Sequence, residues 1–180
     1  MANQGVIVTR IDGRGTAQRG IEFIQAIHRN MGRLEVSDQI AGLDYLFKRP
    51  YVDRSRVGVH GWSYGGFMTL SLMTRAGDYF KCGISGAPVT DWAYYETGYG
   101  ERYMDTPEEN PAGYKESMPA NHLDGLKGRL LVVQGSSDVT VVWQHTIAFL
   151  QACIDQDKPV EYMTYPGQPH GLSGNHRWHF

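Results

Sequence analysis

The chain contains 180 residues, of which 41% are hydrophobic, and only two are cysteines. This length supports a single domain with one hydrophobic core, and two cysteines are too few for a disulfide framework. The formal net charge is −2 and no run of lysine or arginine occurs, so we expect neither a nucleic acid nor an anionic membrane surface as a partner.

Strand and helix signals alternate along the chain. Apolar runs predict strands at residues 5–11, 56–60, 80–85, 130–134 and 160–165. Helical spacing predicts helices at residues 21–30, 38–48, 64–75 and 142–155, with Ser37 as the N-cap of the second. Strands separated by helices in this way pack as a mostly parallel sheet covered on both faces, so the sequence predicts an α/β fold with about five strands.

The stretch HGWSYGGF, residues 60–67, places Ser63 between two glycines directly after a predicted strand. A sharp turn from strand to helix would strain this serine and raise its hydroxyl above the edge of the sheet. The start of the helix, and the Tyr64 backbone N–H in particular, could then stabilise an oxyanion. We interpret Ser63 as a nucleophile and Tyr64 as an oxyanion donor. The alternative, a helix-capping serine, does not explain the crowding of small residues around it.

A nucleophilic serine requires a base and an acid that orients the base, in the order Ser, Asp, His for this architecture. Asp138 follows the predicted strand 130–134, and His170 follows the last predicted strand. Both residues therefore belong to the carboxyl edge of the sheet. Alone, Asp138 could be an ordinary turn residue and His170 a surface histidine, but the order of the three residues predicts a triad of Ser63, Asp138 and His170.

The histidines near the C-terminus raise the alternative of a metal site. His170, His176 and His179 match no known ligand spacing, and no cysteine accompanies them. A mobile tail explains them more simply. We therefore predict no metal site and no cofactor.

Five stretches together resemble the catalytic domain of the prolyl oligopeptidase family, in the branch of dipeptidyl peptidase IV and the bacterial prolyl tripeptidyl peptidases. They are DGRGT at 12–16, VDRSR at 52–56, GWSYGGF at 61–67, APVTDW at 87–92 and YGERYM at 99–104. The resemblance covers nearly the whole chain and implies an α/β-hydrolase fold. It also implies the roles of nucleophile, acid and base for Ser63, Asp138 and His170.

The resemblance further implies an apolar box that holds a proline before the scissile bond. The matching positions are Tyr64, Val89, Trp92, Tyr95, Tyr99 and Val141. A pyrrolidine ring offers only apolar surface, which aromatic walls bury well. The alternative for each aromatic residue is an ordinary place in the core. Thr140 stands where the dipeptidyl branch has asparagine, and this departure leaves the length of the released peptide open.

The implied function is a serine peptidase that cleaves short peptides after proline through an acyl-enzyme and releases a dipeptide or a tripeptide from the N-terminus. Two alternatives remain open. One is an esterase or acylaminoacyl peptidase of the same fold, because a serine at a sharp strand-to-helix turn does not by itself distinguish esters from amides. The other is a non-catalytic, truncated hydrolase module.

The resemblance also gives expectations about the parent protein. Family members carry a β-propeller domain and an oxyanion tyrosine ahead of the strands seen here. We therefore expect residues 1–180 to form one catalytic domain that is incomplete at its N-terminus and its last helix, and weakly active or inactive alone. The sequence predicts neither a membrane span nor a signal peptide. By resemblance we expect a periplasmic or cell-surface location in a bacterium, and a homodimer stays open.

Overall fold

The computed structural model describes residues 2–180 and contains one four-stranded sheet. The strands are β1 (Gly58–Trp62), β2 (Cys82–Gly86), β3 (Arg129–Gly135) and β4 (Glu161–Tyr165). All pairs are parallel and the strands are adjacent in chain order. In register, Trp62 aligns with Gly86, and Gly135 aligns with Tyr165. The carboxyl ends of the strands therefore meet at one edge of the sheet.

Helices connect and flank the strands. The α-helices within residues 2–180 are α1 (Ile21–Gln25), α2 (Leu34–Leu46), α3 (Tyr64–Arg75), α4 (Thr97–Met104), α5 (Pro111–Ser117), α6 (Gln144–Asp155) and α7 (Gly174–His179). Short 3₁₀ segments occur at Ala2–Gln4, Trp92–Tyr94 and Pro119–Gly125. No helix in the described part of the chain has the length and apolar character needed to cross a membrane.

The main core lies between the sheet and helices α3 and α6. Its fully buried members include Leu70, Met73, Leu123, Val132 and Phe149. Burying one such side chain contributes roughly 1.5–3 kcal/mol, so this face dominates the stability of the sheet. The ring of Phe180, directly after α7, packs on Trp62 from the opposite face, with 5.6 Å between ring centroids. The strands therefore form a parallel sheet with helical structure on both faces, as the sequence predicts.

The predicted first strand, residues 5–11, is wrong. These residues form no regular structure, and Val6, Ile7 and Val8 are exposed. A strand requires a neighbour to complete its ladder of hydrogen bonds. No segment within residues 2–180 pairs with residues 5–11, and the free edge of β1 lies across a cavity from residues 8–11. The sheet thus has four strands instead of five.

Two predicted helix boundaries are also wrong. Ser37 lies inside α2 and is no N-cap, because the helix begins at Leu34. There the Glu35 side chain reaches back to accept a hydrogen bond from the Gly32 backbone N–H. The predicted helix 21–30 is helical only over Ile21–Gln25. Arg29 has a φ of 64° and its N–H donates to the Tyr103 carbonyl, so the helix cannot continue through it.

Candidate active site

Ser63 occupies a strained turn between β1 and α3. Its backbone angles are φ 60° and ψ −118°, which side-chain-bearing residues rarely adopt. Its N–H donates to the Gly86 carbonyl (2.8 Å), and its own carbonyl accepts from the Phe67 N–H (3.0 Å). Strain of this kind costs on the order of 1–3 kcal/mol and persists only where the surroundings hold it. The predicted turn at Ser63 is therefore present.

The glycines around Ser63 have different roles. A side chain on Gly61 would collide with the backbone of Gly65, and one on Gly66 would collide with the carbonyl of Gly86. A Cβ at Gly65 itself would meet nothing within 4 Å in the described structure. The close approach of strand and helix therefore depends on Gly61 and Gly66.

Asp138 and His170 lie together at the same edge of the sheet. The Nδ1–H of His170 donates to Oδ2 of Asp138 at 2.8 Å. The other carboxylate oxygen, Oδ1, accepts the backbone N–H groups of Thr140 and Val141, each at 2.9 Å. The carboxylate is buried while the imidazole is partly exposed. Asp138 is thus fixed on both oxygens, and the Nε2 atom of His170 is left free for another partner.

Trp62 connects the loop of His170 to the turn at Ser63. Its indole N–H donates to the His170 carbonyl at 2.7 Å, across 108 residues of sequence. Since Trp62 immediately precedes Ser63, this bond holds the histidine loop beside the serine. Within residues 2–180 the Ser63 hydroxyl makes no hydrogen bond. Ser63 and His170 therefore lie at the same edge of the sheet without a direct hydrogen bond between them. The catalytic roles of the three residues stay a prediction.

The residues of the predicted proline box lie in one apolar cluster. The Trp92 ring stacks on Tyr99 (5.8 Å between centroids) and meets Tyr95 edge-on (5.7 Å). Tyr64 lies 5.9 Å from Trp92. Val89 and Val141 belong to the same cluster and are buried. Trp92 is only 2% exposed, so the surface that a ligand could reach is provided by the tyrosines. Their role in substrate binding stays a prediction.

A cavity of about 740 Å³ borders Tyr64. Residues 8–11, the free edge of β1, and helices α2 and α3 surround it, and Glu35, Tyr64 and Tyr99 are among its lining residues. Trp92 and Val141 do not line it. Tyr64 and Tyr99 therefore belong both to the box and to the lining of this cavity.

Two buried polar side chains that the sequence did not single out hold the site loops on α6. Gln134 donates to the Val141 carbonyl (2.6 Å) and accepts the Thr146 hydroxyl proton. His145 is 0% exposed, and its Nδ1 accepts the Thr90 backbone N–H at 3.2 Å. Burial lowers the pKa of His145 to about 4, so the ring is neutral near pH 7. These bonds fix the loop of Asp138 and the segment that leads to Trp92.

Tyr64 has two groups that bear on the site. As the first residue of α3, it has a backbone N–H with no acceptor inside the helix, and this N–H follows Ser63 directly. Its hydroxyl donates to Oε1 of Glu35 at 2.6 Å. This second contact has no local signal in the sequence, because it joins residues 29 positions apart. In the described part of the chain, no three His, Cys, Asp or Glu side chains are grouped so as to hold a metal ion.

Comparison with known proteins identifies the family. A sequence model described as the prolyl oligopeptidase family matches residues 1–179. The chain belongs to the prolyl oligopeptidase family. Human dipeptidyl peptidase 8 is 40% identical over 184 residues, an alignment that covers 98% of this chain and 20% of that protein.

Two crystal structures show the same fold. Dipeptidyl peptidase 4 of Porphyromonas gingivalis has a TM-score of 0.89 at 42% identity, and a proposed dipeptidyl aminopeptidase IV of Bacteroides ovatus has a TM-score of 0.91 at 49% identity. Each match covers 93% of this chain and 24% of the other. This prolyl oligopeptidase family chain therefore has the α/β-hydrolase fold, and it spans a fifth to a quarter of the length of these relatives.

Proposed function

We propose that this chain carries the catalytic triad of a serine peptidase that cleaves peptides after proline. The observation that carries the proposal is the strained backbone of Ser63 at the sheet edge where Asp138 and His170 are hydrogen-bonded. Membership in the prolyl oligopeptidase family supports the same reaction class.

In the first step, Nε2 of His170 accepts the proton of the Ser63 hydroxyl. The Ser63 oxygen attacks the carbonyl carbon of the residue before the scissile bond and forms a tetrahedral oxyanion. Asp138 stabilises the imidazolium through its hydrogen bond to Nδ1. The Tyr64 N–H donates to the oxyanion, where a preorganised donor is most effective.

In the second step, the His170 imidazolium gives its proton to the leaving amine as the peptide bond breaks. The acyl group then remains on Ser63. Water attacks this ester while His170 takes a water proton, and collapse of the second tetrahedral species returns that proton to Ser63. The reaction releases an acid and an amine and restores the enzyme without a cofactor.

The cluster around Trp92 suits a proline side chain at the position before the scissile bond. Tyr64, Tyr95 and Tyr99 supply aromatic walls that are already packed against Trp92, so little side-chain freedom is lost when they bind an apolar ring. Val89 and Val141 are buried in the same cluster.

We further propose release of a dipeptide from the substrate's N-terminus. Three relatives, human dipeptidyl peptidase 8 and the enzymes of P. gingivalis and the honeybee, carry dipeptidyl peptidase in their names and favour this length over a tripeptide. Recognition of the free amine belongs, in this proposal, to a β-propeller domain of the same protein. We also propose that the protein forms a homodimer and is located in the periplasm or at the cell surface of a bacterium.

The test compares four substrates with the full-length protein: Xaa-Pro, Xaa-Xaa-Pro and Xaa-Lys anilides, and an ester of the Xaa-Pro acyl group. We expect the Xaa-Pro anilide to have the highest kcat/KM among the anilides. Equal values for proline and lysine would contradict the proline box, whereas a faster Xaa-Xaa-Pro anilide would indicate tripeptide release. Hydrolysis of the ester without the anilide would favour an esterase.

A further inference from the structure

Glu35, in the first turn of α2, has a buried carboxylate that the proposed mechanism does not use. It is 7% exposed and forms no ion pair within residues 2–180. Its Oε1 accepts from the Tyr64 hydroxyl (2.6 Å) and its Oε2 from the Gly32 N–H (3.0 Å). Burial raises the pKa of this carboxyl. A buried acid without a cation destabilises a fold, so its presence calls for a functional explanation.

Tyr64, the hydrogen-bond partner of Glu35, has a part in both proposed features of the site. Its backbone N–H is the proposed oxyanion donor, and its ring is a wall of the proline box. The Tyr64 N–H follows Ser63, while the Tyr64 ring packs on Phe67 (5.5 Å) and Trp92 (5.9 Å). Burial is the main cause that raises the pKa of Tyr64 well above 10, and the nearby Glu35 carboxyl adds to it. The hydroxyl therefore stays protonated and donates to Glu35.

The Tyr64 ring borders both packed aromatic neighbours and open space. The ring packs on Phe67 and Trp92, and Tyr64 also lines the cavity of about 740 Å³. A phenol that turned into this space would leave Trp92 and take water as its partner. The bond to Glu35 opposes that rotation. Glu35 is in turn held by Gly32, whose φ of 89° suits glycine.

We propose that Glu35 is a positioning residue for substrate preference: it holds the Tyr64 ring as a wall of the proline box. The inference rests on the proposed function, since it concerns the same box. Without Glu35, the ring moves toward the cavity and the box loses its fit to the pyrrolidine. Substrates with alanine before the scissile bond depend less on that wall, so their kcat/KM falls less.

The test measures, in the full-length protein, the ratio of kcat/KM for the Xaa-Pro anilide to kcat/KM for the Xaa-Ala anilide. The variants are compared at equal concentrations of active sites, which are counted by titrating Ser63 with a fluorophosphonate. We expect Glu35→Ala to lower this ratio about tenfold and Glu35→Gln, which keeps an oxygen acceptor, to stay within about threefold of wild type. Tyr64→Phe should lower the ratio like Glu35→Ala, and the double variant should lower it no further. Asp44→Ala is the matched control, because it removes an exposed carboxylate from the same helix and should leave the ratio unchanged.

The outcomes separate the two proposals. A purely structural role would reduce the active fraction for both substrates and leave the ratio unchanged. An unchanged ratio in Glu35→Ala and Tyr64→Phe would therefore overturn the inference while the proposed function stood. If Glu35→Ala does not fold, Tyr64→Phe decides the question: a ratio lowered about tenfold supports the inference, and an unchanged ratio overturns it. A wild-type protein whose serine does not react with the fluorophosphonate would overturn the proposed function, and this inference with it.

Discussion

Asp138→Asn should nearly abolish catalysis while leaving the fold in place. Oδ1 of Asp138 accepts two backbone N–H groups, from Thr140 and Val141, so the amide oxygen of asparagine must occupy that place. The amide NH₂ then faces Nδ1 of His170, which lies 2.8 Å from Oδ2 in the wild type. Nδ1 must accept this bond, so the ring proton moves to Nε2. A protonated Nε2 cannot take the proton of Ser63.

The size of the effect follows from this change of tautomer. Loss of the correct tautomer and of the negative charge beside the imidazolium lowers kcat by about 10⁴, which is about 5 kcal/mol of transition-state stabilisation. Asp138→Ala should lose activity similarly but also stability. It deletes both loop hydrogen bonds, and bonds to a charged acceptor contribute roughly 1.5–3 kcal/mol each.

The assay is kcat with the Xaa-Pro anilide near pH 7.5, with circular dichroism to verify the fold. Asp124→Asn is the control, since Asp124 is an exposed carboxylate away from the site and the same substitution there should have no effect. A kcat for Asp138→Asn within tenfold of wild type would show that Asp138 does not orient the base.

Two further predictions concern residues that support the site. His145 has its pKa lowered from 6.5 to about 4 by burial, so between those values the unfolded chain binds a proton that the folded chain does not. Stability therefore falls as the pH falls. In urea titrations, the wild type should lose about 2 kcal/mol more unfolding free energy than His145→Gln between pH 7 and pH 5. Equal losses in the two proteins would refute this. Trp62→Phe removes the donor to the His170 carbonyl, so kcat should fall by up to about tenfold with little change in KM, and an unchanged kcat would show that this bond does not position the histidine.

Local sequence patterns predicted the elements that form the site. The strand at 56–60 and the helix at 64–75 correspond to β1 and α3, and the glycines between them indicated the strained turn at Ser63. This worked because the close approach of Gly61 to the backbone of Gly65 is encoded within five residues. The positions of Asp138 and His170 beyond β3 and β4 followed from the rule that parallel strands end at one edge.

Features that depend on distant partners could not be predicted in this way. Residues 5–11 have the composition of a strand, but strand formation also requires a ladder partner, and none is present within residues 2–180. The bond from Trp62 to His170 spans 108 residues, and the bond from Tyr64 to Glu35 spans 29. Such contacts have no periodic signal in the sequence. They appear only when the fold brings the residues together.

The most direct test of the proposed triad is covalent labelling of the full-length protein with a fluorophosphonate, followed by mass spectrometry of the labelled peptide. Only a serine activated by a base reacts rapidly with this reagent. We predict a single adduct on Ser63, none in Ser63→Ala, and strongly reduced labelling in His170→Ala, with Asp124→Asn labelled like the wild type. Equal labelling of wild type and Ser63→Ala would contradict the assignment of Ser63 as the nucleophile.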